Sequence, residues 1–291
     1  MTVFYEPWRQ FKHPIVRQLA FCIASPNIIR AIPEELKLIH EFNLHDDHFW
    51  QSQFAHYQTR LLQLDQNPTT LLQFMGQLKS TRLGLRFEHL LWFWLLDDTY
   101  HAYTLLGHSI QIIEGKNTLG ELDFIVLNQK TQQIEHWEVA LKFYLSEIDD
   151  ALAHWYGLNR TDTLSRKLNH FTQKQFQFHS AQQHIIEQRF AVLKGQLYLP
   201  KNPYLKMPNN NLNDAQQLPH WINPKRRIGH WGYDCLNNYY RVERQEWICP
   251  NLEQSSENAR WWCSGLYRNF DTNHDYMFRQ ANLLYHCVEF M

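Results

Sequence analysis

Cysteine is scarce in this chain: five in 291 residues, at positions 22, 235, 249, 263 and 287. The count is odd and no C-x-x-C pair occurs, which argues against a disulfide framework and against a Cys-rich zinc site. Reduced thiols in the cytoplasm are the expectation. Neither sign of charge is in excess, because 28 Lys and Arg face 29 Asp and Glu for a formal net charge of -1. No global field therefore draws the chain to nucleic acid or to a membrane surface, and any contact with phosphate has to be local. Long apolar runs are missing too. The most apolar window, LLWFWLL at 90–96, is far short of the roughly 20 residues that cross a bilayer. The opening MTVFYEPWRQFKHPIVRQLAF has neither the charged start, the apolar stretch nor the cleavage site of a signal peptide. There is no fixed-period repeat. A soluble cytoplasmic protein without membrane contact is expected.

What is present is core-forming material. The chain is 44% hydrophobic and 15% aromatic, with eleven Trp, which excludes disorder over most of the length and supplies a large core. Residues 10–80 read as helices broken by Pro26, Pro33 and Pro68. The segment 82–96 is almost wholly apolar and reads as a central helix. Three strands follow at 108–114, 119–127 and 134–145, joined by short polar turns. A long helical stretch over 162–190 and a fourth strand at 191–200, closed by Pro200, come next. Residues 201–219 are Asn/Pro-rich and read as a loop or boundary. The order of helix, three strands, helix and strand predicts an α/β (α+β) core, a mixed sheet flanked by helices. The division expected is a helical N-terminal cap (1–80), the core (81–205) and an aromatic-rich segment packed on it (206–291), together one compact unit.

The strands carry acids in their middles. Side chains alternate across a strand, so Leu122, Phe124 and Val126 form one face of 119–128 and Glu121 and Asp123 lie on the other. In 134–145, Trp137, Val139, Leu141, Phe143 and Leu145 alternate with His136, Glu138, Ala140, Lys142 and Tyr144. A hairpin centred between Lys130 and Thr131 sets Asp123 opposite Glu138, with Cβ atoms about 4.5–5.5 Å apart, where like charges repel. Such a pair is tolerated when a cation lies between the two carboxylates, and two carboxylates with open water positions suit Mg²⁺. The plain alternative is the solvated face of an antiparallel hairpin. On the 82–96 helix, Arg82, Arg86 and His89 share a face. Glu88 falls off that stripe, between Leu85 and Trp92, and there needs a metal or a partner such as Arg, because burying an unpaired charge is costly.

Taken together, RFEHLLWFWL, GELDF, WEVALKFYL, GLNRTDTLSRKL and LKGQLYLP resemble a bacterial family, domain of unknown function 1853, over nearly the whole chain. The acid on a first helix, the Asp of one strand and the Glu of the next, with a Lys downstream, resemble the PD-(D/E)XK nuclease superfamily. That resemblance implies a restriction-endonuclease-like core and Mg²⁺- or Mn²⁺-dependent hydrolysis of phosphodiesters in nucleic acid, with DNA as the partner. Asp123 and Glu138 would hold the metal, helped by the Val139 carbonyl and by Glu88, and Lys142 would orient the nucleophile or neutralise charge. One departure stands out. The superfamily has its Lys two residues after the acid, where this chain has Ala140; Lys142 lies four strand residues on, about 13 Å rather than about 6.6 Å. An inactive nucleic-acid- or protein-binding module of the same fold is the alternative this raises.

Other candidates are local. GLNRTDTLSRKLNH (157–170) reads as a helix start capped by Thr161 or Asp162, with Asn159 and Lys167 placed for a phosphate or simply solvated. NPKRRIGHWGY (223–233) sets Lys225, Arg226 and Arg227 among aromatics, a composition suited to nucleic acid and also common on surfaces. HDDH (45–48) reads as a helix cap by Asp46 or Asp47 before it reads as a metal site.

Overall fold

Proline and short polar caps set the boundaries of the N-terminal helices. The computed structural model describes residues 4–201, 218–250, 262–269 and 271–281. The stretch read as a boundary at 201–219 lies almost wholly outside these, as does Cys287. Helix α1 (Pro14–Ala24) begins with proline at its first position and stops before Pro26, because proline is tolerated at a helix start and excludes the helical conformation from the residue before it. Helix α2 (Asp47–Gln66) is capped by Asp46, whose carboxylate accepts the Phe49 N–H at 2.7 Å. Helices α3 (Thr69–Met75) and α4 (Leu83–Leu96) complete this layer.

Strands β1 (Tyr103–Glu114), β2 (Asn117–Asn128) and β3 (Gln133–Ser146) form an antiparallel meander. They are longer than the sequence suggests: β1 gains Tyr103–Gly107 at its start, and β2 and β3 gain polar residues at their ends that also pair. Gly115, at φ 61, closes the first turn. The second turn sits where the sequence places it, with Phe124 opposite Trp137 and Asn128 opposite Gln133. A two-residue strand β4 (Trp155–Tyr156) pairs with the end of β3. Helix α5 covers only Leu164–His170 and runs into a single π-helical turn, Phe171–Gln175.

The helix expected over 162–190 is thus corrected. After the π turn the chain makes a small hairpin, β5 (Ser180–Ala181) and β6 (His184–Ile185), and β7 (Gln188–Pro200) has already begun at 188. Phe176 and Thr172 account for the break. Phe176 is fully buried, and the Thr172 hydroxyl bonds the backbone of Ile39 and His40. Both anchor the segment to the 36–42 loop, at positions a straight helix would not bring together.

Strands β3 and β7 run parallel over eleven residue pairs from Glu135–Gln188 to Leu145–Tyr198. The sheet continues through β8 (Gly229–Gly232), β11 (His274–Phe278), β10 (Gly265–Asn269) and β9 (Tyr240–Arg241), in the order β1-β2-β3-β7-β8-β11-β10-β9. The protein is a mixed α+β structure around a large mixed sheet, and the aromatic-rich C-terminal part contributes strands to that sheet. Helices α1, α2 and α4 cover one face, where Trp50, Phe87 and Trp94 pack against Phe124, Trp137 and Val192. On the other face, α5, Phe171, Phe176, Trp155 and Trp221 pack over Ala140, Tyr144 and Leu193. Over β3 and β7 the sheet is covered on both sides, as is usual for parallel strands. The acid-bearing face of β3 is therefore interior. Among the described residues no helix is long and apolar enough to cross a membrane.

Candidate functional site

The ladder between β2 and β3 ends at Phe124 and Trp137, one step short of the acids. At the next position backbone pairing gives way to side chains. The Val139 N–H donates to Asp123 Oδ2 at 2.8 Å, and the Asp123 N–H points to Glu138 Oε1 at 3.4 Å. Each acid takes the amide that the other strand would have used for pairing. The strands fork here, and each acid lies within electrostatic reach of the other.

Glu138 is 0% exposed. Its Oε1 also receives His136 Nε2 at 2.8 Å, and its Oε2 receives the Gln175 amide at 2.5 Å. Burial holds the His136 imidazole neutral, with its pKa down to about 3. The one ring proton is then on Nε2, facing Glu138, and Nδ1 is buried without a hydrogen-bond partner among the described residues. The Glu138 carboxylate is thus oriented by a donor on each oxygen, an arrangement that leaves it little rotational freedom. Burial raises the pKa of both acids; for Asp123 the nearby charges of Glu138 and Glu88 raise it further, against the Val139 amide. Two carboxyls in a dry site cannot both ionise cheaply, so they titrate as a pair.

Glu88 reaches this fork from α4, on the opposite side of the sheet. Its partner is not arginine: Oε1 receives His108 Nε2 at 2.8 Å and the Ser109 hydroxyl at 3.2 Å. The His108 ring stacks on Trp92 with centroids 4.2 Å apart and on Phe124 at 5.0 Å, which fixes its plane. Ser109 sits between the pairs His108–Phe124 and Ile110–Leu122, and so faces Asp123 across β1 and β2. It holds φ at 49, a left-handed conformation that costs a non-glycine residue of order 1 kcal/mol or more and tends to occur at functional sites. Arg86 and His89, by contrast, bond Gln18 and the Phe74 carbonyl.

The lysines change places relative to expectation. Lys142 Nζ lies 2.7 Å from Asp162 Oδ2, and the Tyr144 hydroxyl bonds the other oxygen of that carboxylate at 3.2 Å. Asp162 is therefore a partner of β3 and not a helix cap; Thr163 caps α5, accepting the Arg166 N–H at 3.1 Å. Lys167, expected at a phosphate-binding helix start, lies within electrostatic reach of Glu138 and Asp123.

Asn159 spends its side-chain oxygen on Thr161 within its own turn, at 3.1 and 3.0 Å. The basic run at 225–227 is mostly committed inward. Arg226 is 9% exposed and bonds Gly195 O and Gln196, and Arg227 is paired with Glu6 at 3.0 Å; only Lys225 has an exposed side chain. That withdraws Arg226 from any outward phosphate patch, since a buried guanidinium already holding its acceptors has none to spare.

The structure thus gathers Glu88, Asp123 and Glu138 and leaves Lys142, Asn159 and Lys225–Arg227 outside that cluster. It adds His108, Ser109, His136 and Gln175. His136 was visible in principle, two residues before Glu138 on the same strand face. Gln175 was hidden by the assumption of a continuous helix.

Two carboxylates with fixed orientation form a donor set that suits Mg²⁺, which takes one or two protein carboxylates and keeps its waters. Among the described residues there is no group of three or more His, Cys, Asp or Glu side chains arranged to hold a metal ion. A divalent ion would have to rest on Asp123 and Glu138 with water completing its shell.

The family model described as "Domain of unknown function (DUF1853)" matches residues 17–288, and the chain belongs to that family. No curated protein and no solved structure matches the chain.

Proposed function

We propose that the fork between β2 and β3 is the active site of a Mg²⁺- or Mn²⁺-dependent phosphodiester hydrolase acting on nucleic acid, with DNA as the favoured substrate. The observation that carries this reading is the crossing of Asp123 and Glu138 at the fork, where the Val139 amide donates to one carboxylate and the Asp123 amide points to the other and both acids have raised pKa values, burial being the largest cause. A fold gains nothing in stability from such a pair, whereas a divalent cation relieves it. The order α4, β1–β3, α5, β7, with acids on α4, β2 and β3, supports the PD-(D/E)XK resemblance as the framework for this chemistry.

In this reading Asp123 and Glu138 hold the ion, with the Val139 carbonyl beside them. When bound, the ion lowers the pKa of a coordinated water and offsets charge building on the phosphate. His136 and Gln175 keep Glu138 in the orientation that serves this, and Glu88, itself positioned by His108 and Ser109, adds negative charge on the far side of Asp123. The test is cleavage of linear, circular and single-stranded DNA with Mg²⁺ or Mn²⁺ against EDTA. Asp123→Ala and Glu138→Ala should each lower the rate by about 100-fold or more, the scale of losing one electrostatic catalytic group. Equal cleavage by wild type and both variants would reject the site. The engagement of Lys142 by Asp162 favours a second reading, a binding module without turnover; DNA binding that survives both substitutions, with no cleavage by any form, would establish it.

A further inference from the structure

The fork holds acids in excess, and a phosphodiester is itself an anion, so a cation from the protein is needed to bring the two together. The strand does not supply it. Position 140, the nearest on the Glu138 face, is alanine, and the Lys142 ammonium is fixed by Asp162 and Tyr144.

We propose that Lys167, carried by α5, is the catalytic cation of this site: it faces the Asp123–Glu138 pair and meets the substrate's phosphate, while Lys142 is structural. The inference rests on the metal-site reading above. Lys167 Nζ lies 4.0 Å over the ring of Phe171, one helical turn on. Phe171 packs on Phe176, Phe176 packs edge-on against His136, and His136 bonds Glu138. The Lys167 ammonium thus rests on the aromatic wall that backs the fork. Burial lowers the proton affinity of Lys167, and Glu138 and Asp123 pull it back up, as expected of a cation set against these two acids.

The π turn gives this placement its logic. Lys167 and Gln175 are eight residues apart, which would put them roughly 80° apart around a straight α-helix. One wider turn at Phe171–Gln175 takes back most of that angle, so that both side chains address the same carboxylates; π turns recur at functional sites for such reasons. Lys167 makes no direct ion pair with either acid among the described residues, and it is only half-buried.

The test measures Mn²⁺ affinity, by electron paramagnetic resonance of the free ion, together with single-turnover DNA cleavage, in wild type, Lys167→Met, Lys167→Arg and Lys142→Met. Removing a positive charge beside a cation site should tighten Mn²⁺ binding in Lys167→Met by about 5- to 50-fold while cleavage falls by about 100-fold or more. Lys167→Arg should keep the wild-type Mn²⁺ affinity within about threefold, and Lys142→Met should change neither quantity by more than that. A lysine that merely covers Phe171 would leave Mn²⁺ affinity unchanged on Lys167→Met, and that result overturns the proposal. Loss of cleavage in Lys142→Met with Lys167→Met active overturns it too. A wild type that binds Mn²⁺ without cutting DNA leaves the affinity shift to decide. If Lys167→Met does not fold, an unchanged affinity in Lys167→Gln decides against. Wild type that binds no Mn²⁺ removes the metal-site reading itself, a failure distinct from an unshifted affinity in Lys167→Met.

Discussion

Asp123 and Glu138 show how a two-residue period and a turn centre locate a contact without any knowledge of the fold. Their register follows from placing the turn between Lys130 and Thr131, and the ladder from Asn128–Gln133 to Phe124–Trp137 agrees with it. What the strand pattern does not reveal is that the ladder stops there and that each acid captures the other strand's amide. Lys142 shows the opposite limit. It lies on the face the alternation gives it, but its partner Asp162 is delivered by the turn at 157–162, closed by Gly157 N–H to Asp162 O at 2.7 Å, and no local pattern announces that.

The raised pKa values of the acid pair give a pH dependence with a definite sign. Groups that bind protons more tightly in the folded state than in the unfolded one stabilise the fold below the unfolded carboxylate pKa, about 4, and that contribution is lost as pH rises through the folded values. Without divalent metal, wild-type stability should therefore fall as pH rises from about 4 toward neutral. Asp123→Asn keeps an oxygen for the Val139 amide and removes the second charge. It should be more stable than wild type at pH 7 by on the order of 1 kcal/mol, with a weaker pH slope. Urea unfolding at pH 5 and pH 7 measures both; a variant less stable than wild type at pH 7 would mean the acids do not repel.

Among the elements, the helices with strong apolar content and the three-strand meander were legible, since their periodicities are unambiguous over ten or more residues. The segment from 162 to 190 was not. Its composition suits a helix, but burial of Phe176 and the Thr172 contacts with the 36–42 loop outweigh propensity, which is a weak prior against tertiary packing. Strand β7 contains a further constraint. Gly195 has φ 124, and a Cβ there would lie 1.8 Å from the Lys142 carbonyl oxygen. Only glycine allows β3 and β7 to approach this closely. Gly195→Ala should cost about 3 kcal/mol or more, through backbone strain and a clash that no rotamer can relieve. Chemical denaturation reads this directly, and a loss under about 0.5 kcal/mol would show that the β3–β7 register beside Lys142 is wrong.

At the scale of the whole molecule, a nearly neutral chain commits several of its charges to internal clusters. Glu6 alone takes Arg9, Arg226 and Arg227, which is why the basic run at 225–227 looks outward in sequence and is mostly turned inward in structure. The expectation of a mixed sheet between helices holds, and the sheet is larger than expected because the C-terminal β8, β10 and β11 extend it. These strands are short, and although β10 and β11 form a local hairpin, the β7–β8 and β8–β11 pairings that join them to the sheet are long-range, so no local signal exposes their place in it. The consequence for the site is burial on both faces of the sheet, which raises the electrostatic stakes of every charge at the fork.

The account stands on two carboxylates from adjacent strands sharing one divalent ion. Crystals grown with Mn²⁺ and recorded at the manganese absorption edge test this most directly. The account predicts one anomalous peak between Asp123 and Glu138, absent in Asp123→Asn. Crystals saturated with Mn²⁺ that show no peak at the fork, or a peak unaffected by that substitution, would contradict it.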